Sequence, residues 1–189
     1  MGNNPVYYID PDGRCYTKGE NGEYVPCPDS DVGSTRSDDF GYNWTFQKDN
    51  GWQITNGTDP SQVTASYTEV TPDGSADYYV NRYKQHIDKY NSRPPDYYLE
   101  YGHKYNVRFA ASRGKLSTEG QKWSVQTSKV LQIKMEEGLR ANPQMELSNE
   151  AFQTFAYETH VPAYSQGDIL FKLPIADKLK IAATPDRGD

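Results

Sequence analysis

The chain has 189 residues and a net charge of −6, with 35% hydrophobic and 13% aromatic residues, among them 16 tyrosines. This length predicts one domain or one domain with an appendage, and the aromatic content argues against a disordered chain. The acidic charge disfavours nucleic acid as a partner, no apolar run is long enough for membrane insertion, and two cysteines exclude a four-thiolate zinc site.

The first predicted element is a short β-hairpin. Segments 14–17 and 23–27 can face each other across a three-residue loop in which Gly22 takes the left-handed position. Cys15 then lies opposite Cys27. The sequence allows either a disulfide or two reduced thiols, because the redox compartment decides between them.

A linker is predicted at 29–39, followed by a second hairpin. Aromatic and aliphatic residues alternate with polar ones in segments 42–46 and 52–54, on either side of the turn residues 48–51. Segment 63–70 is predicted to add a third strand. The region from about 40 to 74 is thus predicted to be a small antiparallel sheet.

From residue 77 onward the hydrophobic period becomes helical. Helices are predicted from Asp77 until Pro94–Pro95, over 96–109 with Tyr98 and Tyr101 on one face, over 118–141, from Ser148 to before Pro162, and from Pro174. Predicted N-terminal caps are Asp96, Thr118 with Gln121, and Ser148. In the last helix, Ile175, Leu179 and Ala182 are predicted to be buried.

Together these elements predict an α+β fold. A β-rich region with one helix occupies residues 15–95, and a helical domain occupies residues 96–189. The boundary is placed at Pro94 and Pro95, because these prolines end the helix that begins at Asp77.

The segment 3–14 reads N-N-P-V-Y-Y-I-D-P-D-G-R and carries family information. It resembles the end of the RHS-repeat-associated core, where a patterned segment with a D-P-x-G element closes the conserved shell. That element lies at Asp10–Gly13 in this chain. The resemblance covers residues 3–14, so residues 1–14 are interpreted as the end of a core-like motif.

The resemblance implies a role for the rest of the chain. In this family the segment after the D-P-x-G element is commonly a toxin or effector, secreted or delivered as part of a cell-surface RHS protein. A cognate immunity protein is then the expected partner. Such toxins include nucleases, deaminases, peptidases and cell-wall hydrolases, so the resemblance does not choose the chemistry.

Motifs exclude several of these chemistries. The three histidines lack the spacing of a zinc deaminase or a zincin, and the chain has no phosphate loop, nucleophile elbow or dinucleotide fingerprint. The sequence therefore predicts no metal and no cofactor.

Two local groups are candidates for a site. Glu158 and His160 close a predicted helix, whose C-terminus favours a protonated imidazole. Tyr101, His103 and Arg108 lie beside Gly102, which permits close approach of a ligand to the backbone. Both groups also have a structural interpretation, as a helix-dipole partner and as a tyrosine-lined packing face with solvated basic residues.

The sequence supports two functions. The first is a hydrolase acting on cell-wall material, with Glu158 as acid or base, His160 and His103 in proton transfer or substrate binding, and Tyr101 and Arg108 as substrate contacts. Glu136 and Glu137 could belong to a glycosidase pair but are predicted to lie on the solvated face of their helix.

The second function is a non-enzymatic module that binds carbohydrate or protein. Its contacts would come from the tyrosine-rich surface and from the hairpin that carries Trp44 and Trp52. A concave pocket with converging histidines or carboxylates would distinguish an enzyme from such a module.

Overall fold

The computed structural model describes residues 16–20, 22–27, 30–48 and 50–185. Two small antiparallel sheets precede a mainly helical part, so the predicted α+β fold is confirmed. The strands are β1 Tyr16–Lys18, β2 Tyr24–Pro26, β3 Thr35–Ser37, β4 Asn43–Gln47 and β5 Gly51–Ile54. The longer helical elements are α1 Asp77–Tyr90, a π-helical turn Tyr97–His103, α2 Lys104–Ser112, α3 Thr118–Ala141, α4 Asn149–Glu158, α5 His160–Ser165, α6 Ile169–Lys172 and α7 Ile175–Ala182.

Both predicted hairpins are present. β1 pairs with β2, and Gly22 in their loop has a φ of 82°, which glycine adopts without strain. β4 pairs with β5, so that Phe46 faces Trp52 across the ladder. Cys27 is buried and disulfide-bonded, whereas Cys15 lies outside the described residues.

The third strand of the larger sheet lies elsewhere than predicted. β3, inside the segment predicted to be a linker, pairs with β4, and the neighbouring Asp38 is buried. Asp38 accepts hydrogen bonds from the indole of Trp44, from the hydroxyl of Tyr83 and from two backbone amides. This carboxylate therefore joins the sheet to α1.

The predicted strand at 63–70 is wrong. The segment has no regular secondary structure, and its backbone bonds to side chains from later in the chain instead of to a neighbouring strand. Gln144 binds the backbone of Val63 and Ala65, and Tyr90 binds that of Ser66. An alternating pattern cannot distinguish these partners from a strand ladder.

Residues on both sides of Pro95 share one hydrophobic core. Trp44 and Trp52 from the sheet and Tyr83 from α1 pack in the same cluster as Tyr98 and Phe152. A smaller cluster of Leu116, Trp123, Leu173 and Ile181 joins the start of α3 to α7. Because Trp44 and Trp52 are buried, they cannot form the exposed hairpin platform considered for a binding module.

The helix limits are predicted better than the helix caps. α3 spans the predicted residues. Its cap is Ser117 instead of the predicted Thr118, because the Ser117 hydroxyl accepts a hydrogen bond from the amide of Gly120. Ser148 caps α4 as predicted. Asp96 makes no cap bond. Its carboxylate instead binds Tyr16, Arg93 and Asn149.

Candidate functional site

A seven-residue π-helical turn, Tyr97–His103, carries two of the predicted site residues. Such wide turns are rare and often occur at functional sites. Gly102 explains part of this local geometry, because a Cβ at that position would overlap the ring of Tyr79 on α1. The ring that approaches the backbone at Gly102 is therefore that of the buried Tyr79.

The wide turn also changes which tyrosines share a face. Tyr97, not Tyr98, stacks on Tyr101, with ring centroids 5.9 Å apart and planes 12° apart. Tyr98 points into the core, where it is fully buried against Phe152. The prediction that Tyr98 and Tyr101 share a face is wrong, because it assumed the period of an α-helix.

Six rings form a continuous cluster that we call the tyrosine face. Its members are Tyr97, Tyr101, Tyr105, Tyr157, His160 and Tyr164. Except for the buried Tyr97, all of them are partly exposed. The π-helical turn and α2 supply one side of this face, and α4 and α5 supply the other.

His160 contacts three other rings of the tyrosine face, those of Tyr97, Tyr157 and Tyr164. Its Nε2 is 2.9 Å from the hydroxyl oxygen of Tyr97, and its ring is parallel to that of Tyr164 at 5.6 Å. Burial lowers the pKa of His160 to about 4, so the imidazole is neutral at pH 7. The expectation of a protonated imidazole is therefore wrong, since burial outweighs any effect of the preceding helix end.

Glu158 is exposed at the last position of α4. The hydrogen-bond partner of His160 Nε2 is Tyr97, and within the described chain no hydrogen bond joins Glu158 to His160. The structure thus brings the two residues into neighbouring elements without forming an acid–base pair.

His103 faces a different part of the molecule. Its ring lies 5.0 Å from that of Tyr24 on β2, and its Nδ1 is buried without a hydrogen-bond partner among the described residues. Burial lowers the pKa of His103, so this imidazole too is biased toward its neutral form.

Tyr101 and Arg108 belong to the same surface as His160. The ring of Tyr101 contacts Tyr97, Tyr105 and Tyr157. The Arg108 guanidinium carbon lies 5.6 Å from the centroid of the Tyr105 ring, which is within cation–π range. Three of the five predicted site residues therefore converge on the tyrosine face, and Glu158 lies beside it.

A second polar site, between α1 and α3, was not predicted. Glu136 is buried, and its carboxylate forms an ion pair with the buried guanidinium of Arg82. It also accepts from the hydroxyls of Tyr67 and Tyr78 and from the amide of Val70. The prediction that Glu136 lies on the solvated face is wrong, because its helix side also carries the buried Gln132 and Leu139.

Glu136 also lines a cleft of about 310 Å³. The cleft is lined by Glu69, Pro72, Lys129, Ile133, Glu136, Glu137 and Arg140. Five donor groups surround the Glu136 carboxylate, so little of its hydrogen-bonding capacity is left for a ligand. The exposed carboxylates of Glu69 and Glu137 are the ones that a ligand can reach.

A buried acid–base pair lies next to that network. The Nδ1 atom of His86 is 3.8 Å from a carboxylate oxygen of Glu146, which also accepts from the hydroxyl of Tyr98 at 2.5 Å. Burial alone would raise the pKa of Glu146, but His86, Tyr98 and Arg82 outweigh it and lower that pKa below its ordinary value. The pair is sealed from solvent, since His86 and Glu146 are both buried.

A sequence signal for these internal sites does exist. Tyr78, Arg82 and His86 recur every four residues, which places the arginine and the histidine on the buried stripe of α1. The partner of each residue depends on the docking of α1 on α3, which one helix pattern does not contain.

Within the described ranges, no group of three or more histidine, cysteine, aspartate or glutamate residues could hold a metal ion. No helix in that part of the chain is both long and apolar enough to cross a membrane. No protein-family model, curated protein or solved structure matches this chain.

Proposed function

We propose that this chain is the C-terminal effector segment of an RHS-repeat protein and that it binds cell-wall carbohydrate through the tyrosine face. The assignment to RHS effectors is supported by the resemblance of residues 3–14, which lie outside the described residues. It carries with it the proposals of delivery from a cell-surface protein and of an immunity protein as partner.

The observation that carries the binding proposal is the cluster of partly exposed rings around His160. Tyrosines offer flat apolar faces and hydroxyl edges at a small cost in side-chain entropy, a combination used at many recognition surfaces. Sugars present the complementary pattern of apolar C–H faces edged by hydroxyl groups. The neutral imidazole of His160 adds a hydrogen-bonding group that does not require a charged ligand.

The composition of the face also favours carbohydrate over nucleic acid. Two cations, Lys104 and Arg108, lie over the ring of Tyr105, and the chain as a whole carries a net charge of −6. Nucleic-acid sites normally need several cations to neutralise phosphates. A neutral or weakly charged glycan does not impose that requirement.

Hydrolysis of cell-wall glycan is a second candidate, supported by the cleft at Glu136. Glu69 and Glu137 both line this cleft, and glycosidases use two carboxyl groups about 5 to 10 Å apart. In this version the tyrosine face holds the glycan, and the cleft carboxylates perform acid and base catalysis. Glu158, beside the tyrosine face, is the alternative acid or base.

Binding is tested by sedimentation of the full chain with purified bacterial sacculi. We expect the wild-type protein to pellet with the sacculi and Tyr101→Ala to weaken binding about 30-fold, as for loss of an aromatic hot spot. Tyr101→Phe keeps the ring and should retain most of the binding. Equal sedimentation of all three proteins, or none with the wild type, would overturn the proposal.

The same incubation tests hydrolysis. Release of soluble glycan fragments that is lost in Glu69→Gln or Glu137→Gln, with binding retained, would establish the cleft as the catalytic site. Release that is lost only in Glu158→Gln would move catalysis to the tyrosine face. Binding without release would leave the chain as a binding module.

The effector role is tested by bacterial growth during expression of the full chain in the cytoplasm or in the periplasm. Arrest only in the periplasm, relieved by Tyr101→Ala at matched expression, would support an effector that acts on the cell wall. Arrest only in the cytoplasm would contradict the carbohydrate target.

A further inference from the structure

The last two helices expose large apolar side chains. Phe171 on α6 and Ile175 and Leu179 on α7 are 65%, 75% and 67% exposed. Ile175 and Leu179 were predicted to be buried together with Ala182, and all three are exposed. We call Phe171, Ile175 and Leu179 the α6–α7 face.

This exposure is not a consequence of a loosely attached helix. The opposite side of α7 is docked by Ile181, which packs in the cluster with Trp123, and by the buried Asp177. The Asp177 carboxylate accepts from the amide and the hydroxyl of Ser117, and this bonding lowers its pKa. The helix is therefore held with its apolar residues turned outward.

Two of the three apolar side chains share one face of a helix. Ile175 and Leu179 are four residues apart, which places them on the same side of α7. Phe171 lies on α6, which the non-helical residues Leu173 and Pro174 separate from α7. Lys178 ties α7 to the end of α6 through a hydrogen bond from its ammonium group to the carbonyl of Phe171. The arrangement places three exposed apolar side chains on two short helices that are joined by this bond.

Cations are concentrated in the segments that carry and adjoin this face. Segments 113–122 and 168–182 contain six lysine or arginine residues and three acidic residues, although the whole chain carries −6. The cations are Arg113, Lys115, Lys122, Lys172, Lys178 and Lys180. One of the three acids is the buried Asp177, so the solvent-facing balance is more positive still. Lys180 binds the carbonyl of Lys115, which brings the two segments together.

We infer that the α6–α7 face docks onto the surface of an anionic lipid bilayer. Phe171, Ile175 and Leu179 enter the boundary between headgroups and acyl chains, while the surrounding lysines contact lipid phosphates. Apolar residues flanked by lysines on a short surface helix are typical of peripheral membrane attachment. The chain lies on the bilayer in this arrangement and does not span it.

The same features disfavour a protein as the occupant. Protein interfaces are depleted in lysine, whereas all but one of the surrounding cations are lysines. Positive charge on an acidic protein further selects a negatively charged surface.

Flotation of the full chain with lipid vesicles tests the inference. Vesicles contain either phosphatidylcholine alone or equal parts of phosphatidylcholine and phosphatidylglycerol. We expect binding to the anionic vesicles to be at least about tenfold stronger, and to weaken as salt is raised. Equal binding to the two vesicle types, or no binding to the anionic ones, would overturn the inference.

Variants assign the binding to the α6–α7 face. Replacing Phe171, Ile175 and Leu179 together by serine should reduce binding to anionic vesicles by at least about tenfold. Lys122→Glu combined with Lys172→Glu should reduce it in proportion to the lost charge. The matched control is Val32→Ser, which removes an equally exposed apolar side chain, 65% exposed, from the segment before β3.

Each variant is checked for folding by circular dichroism, which exposed substitutions should not change. Undiminished vesicle binding by the folded serine variant would refute the assignment to this face. A concentration-dependent oligomer that the serine variant abolishes, without vesicle binding by the wild type, would instead identify a protein interface. This test does not depend on sacculus binding, so it can fail while the proposed carbohydrate site stands.

Discussion

The Arg82–Glu136 site and the tyrosine face both contain tyrosine hydroxyls, but the two sites use their polar groups differently. At the first site, the hydrogen-bonding capacity of Glu136 is taken up by Arg82, two tyrosine hydroxyls and a backbone amide. On the tyrosine face, five of the six rings remain partly exposed. A fully paired buried charge is suited to holding helices together, whereas available ring surface is suited to binding.

The difference shows that the number of charged residues is a poor guide to a functional site. Arg82, Glu136, His86 and Glu146 form the densest cluster of ionisable side chains described above, yet all four are buried. Burial of charges is tolerated when each is paired, and it then favours one arrangement of the chain. The tyrosine face differs from this cluster because its exposed ring surface can still contact a ligand.

The largest expected effect comes from breaking the internal ion pair. Glu136→Gln leaves the guanidinium of Arg82 buried without a negative partner, and we expect a loss of about 3–5 kcal/mol in the free energy of unfolding. Urea denaturation measures it. The matched control is Glu137→Gln, whose side chain is 54% exposed and pairs with Lys134. The control should change stability by less than about 1 kcal/mol; similar losses in both variants would refute the structural role of Glu136.

The next effect is a pH dependence centred on the tyrosine face. His160 stays neutral in the folded chain down to about pH 4, while in the unfolded chain it protonates near its ordinary pKa of 6.5. Between these values the unfolded state binds more protons, so stability falls as pH decreases. The full effect is on the order of 3 kcal/mol.

His160→Gln should remove this contribution, and unfolding curves of both proteins at pH 7 and pH 4.5 measure the difference. The surrounding Tyr97, Tyr157 and Tyr164 have raised pKa values and stay neutral throughout, because burial opposes their ionisation. The Glu146 contribution, which is also lost at low pH, is common to both proteins and cancels. Parallel pH profiles would contradict the neutral state of His160 in the folded chain.

A smaller effect is expected where the π-helical turn meets α1. Gly102→Ala adds a Cβ against the buried ring of Tyr79, and overpacking of this kind costs about 1–3 kcal/mol. Gly114→Ala is the control, because nothing lies within 4 Å of its added Cβ. Thermal unfolding distinguishes the two, and a neutral Gly102→Ala would mean that Tyr79 can move aside.

The smallest effect concerns the first turn of α3, the helix that carries Glu136. Ser117→Ala removes both the cap and the hydroxyl that donates to the buried Asp177, and it should cost about 1–2 kcal/mol. Thr118→Ala should change stability by less than about 0.5 kcal/mol. Urea denaturation of the two variants decides between the observed cap and the one predicted from sequence. The reverse order of the losses would favour Thr118 as the cap.

Local patterns predicted much of this structure. Both hairpins, the span of α3 and the cap at Ser148 follow from alternation, helical period and cap chemistry, which act over a few residues. The prediction of a strand at 63–70 was wrong, because the partners of its backbone, the side chains of Tyr90 and Gln144, lie far along the sequence. The predicted burial of Ile175 and Leu179 was wrong, because an apolar stripe on a helix does not show whether another element covers that stripe.

The candidate site was predicted only in part for the same reason. Tyr101, Arg108 and His160 do gather on one surface, but their junction is the stack of Tyr97 on Tyr101, which depends on a π-helical turn. The period of an α-helix predicted that Tyr98 shares a face with Tyr101, whereas Tyr97 does so in the structure. The pairing of Arg82 with Glu136 joins residues 54 positions apart, so no local spacing reveals it.

The hydroxyl of Tyr16 on β1 has a consequence for how the chain folds. It donates to Asp96 and Glu100, 80 and 84 residues further along the sequence, so the first hairpin completes its contacts only when a long loop has closed. Contacts of this separation slow folding, whereas the turns within α3 form locally. We expect the hairpin to dock after the folding transition state, so that Tyr16→Phe accelerates unfolding in stopped-flow experiments and leaves the refolding rate unchanged.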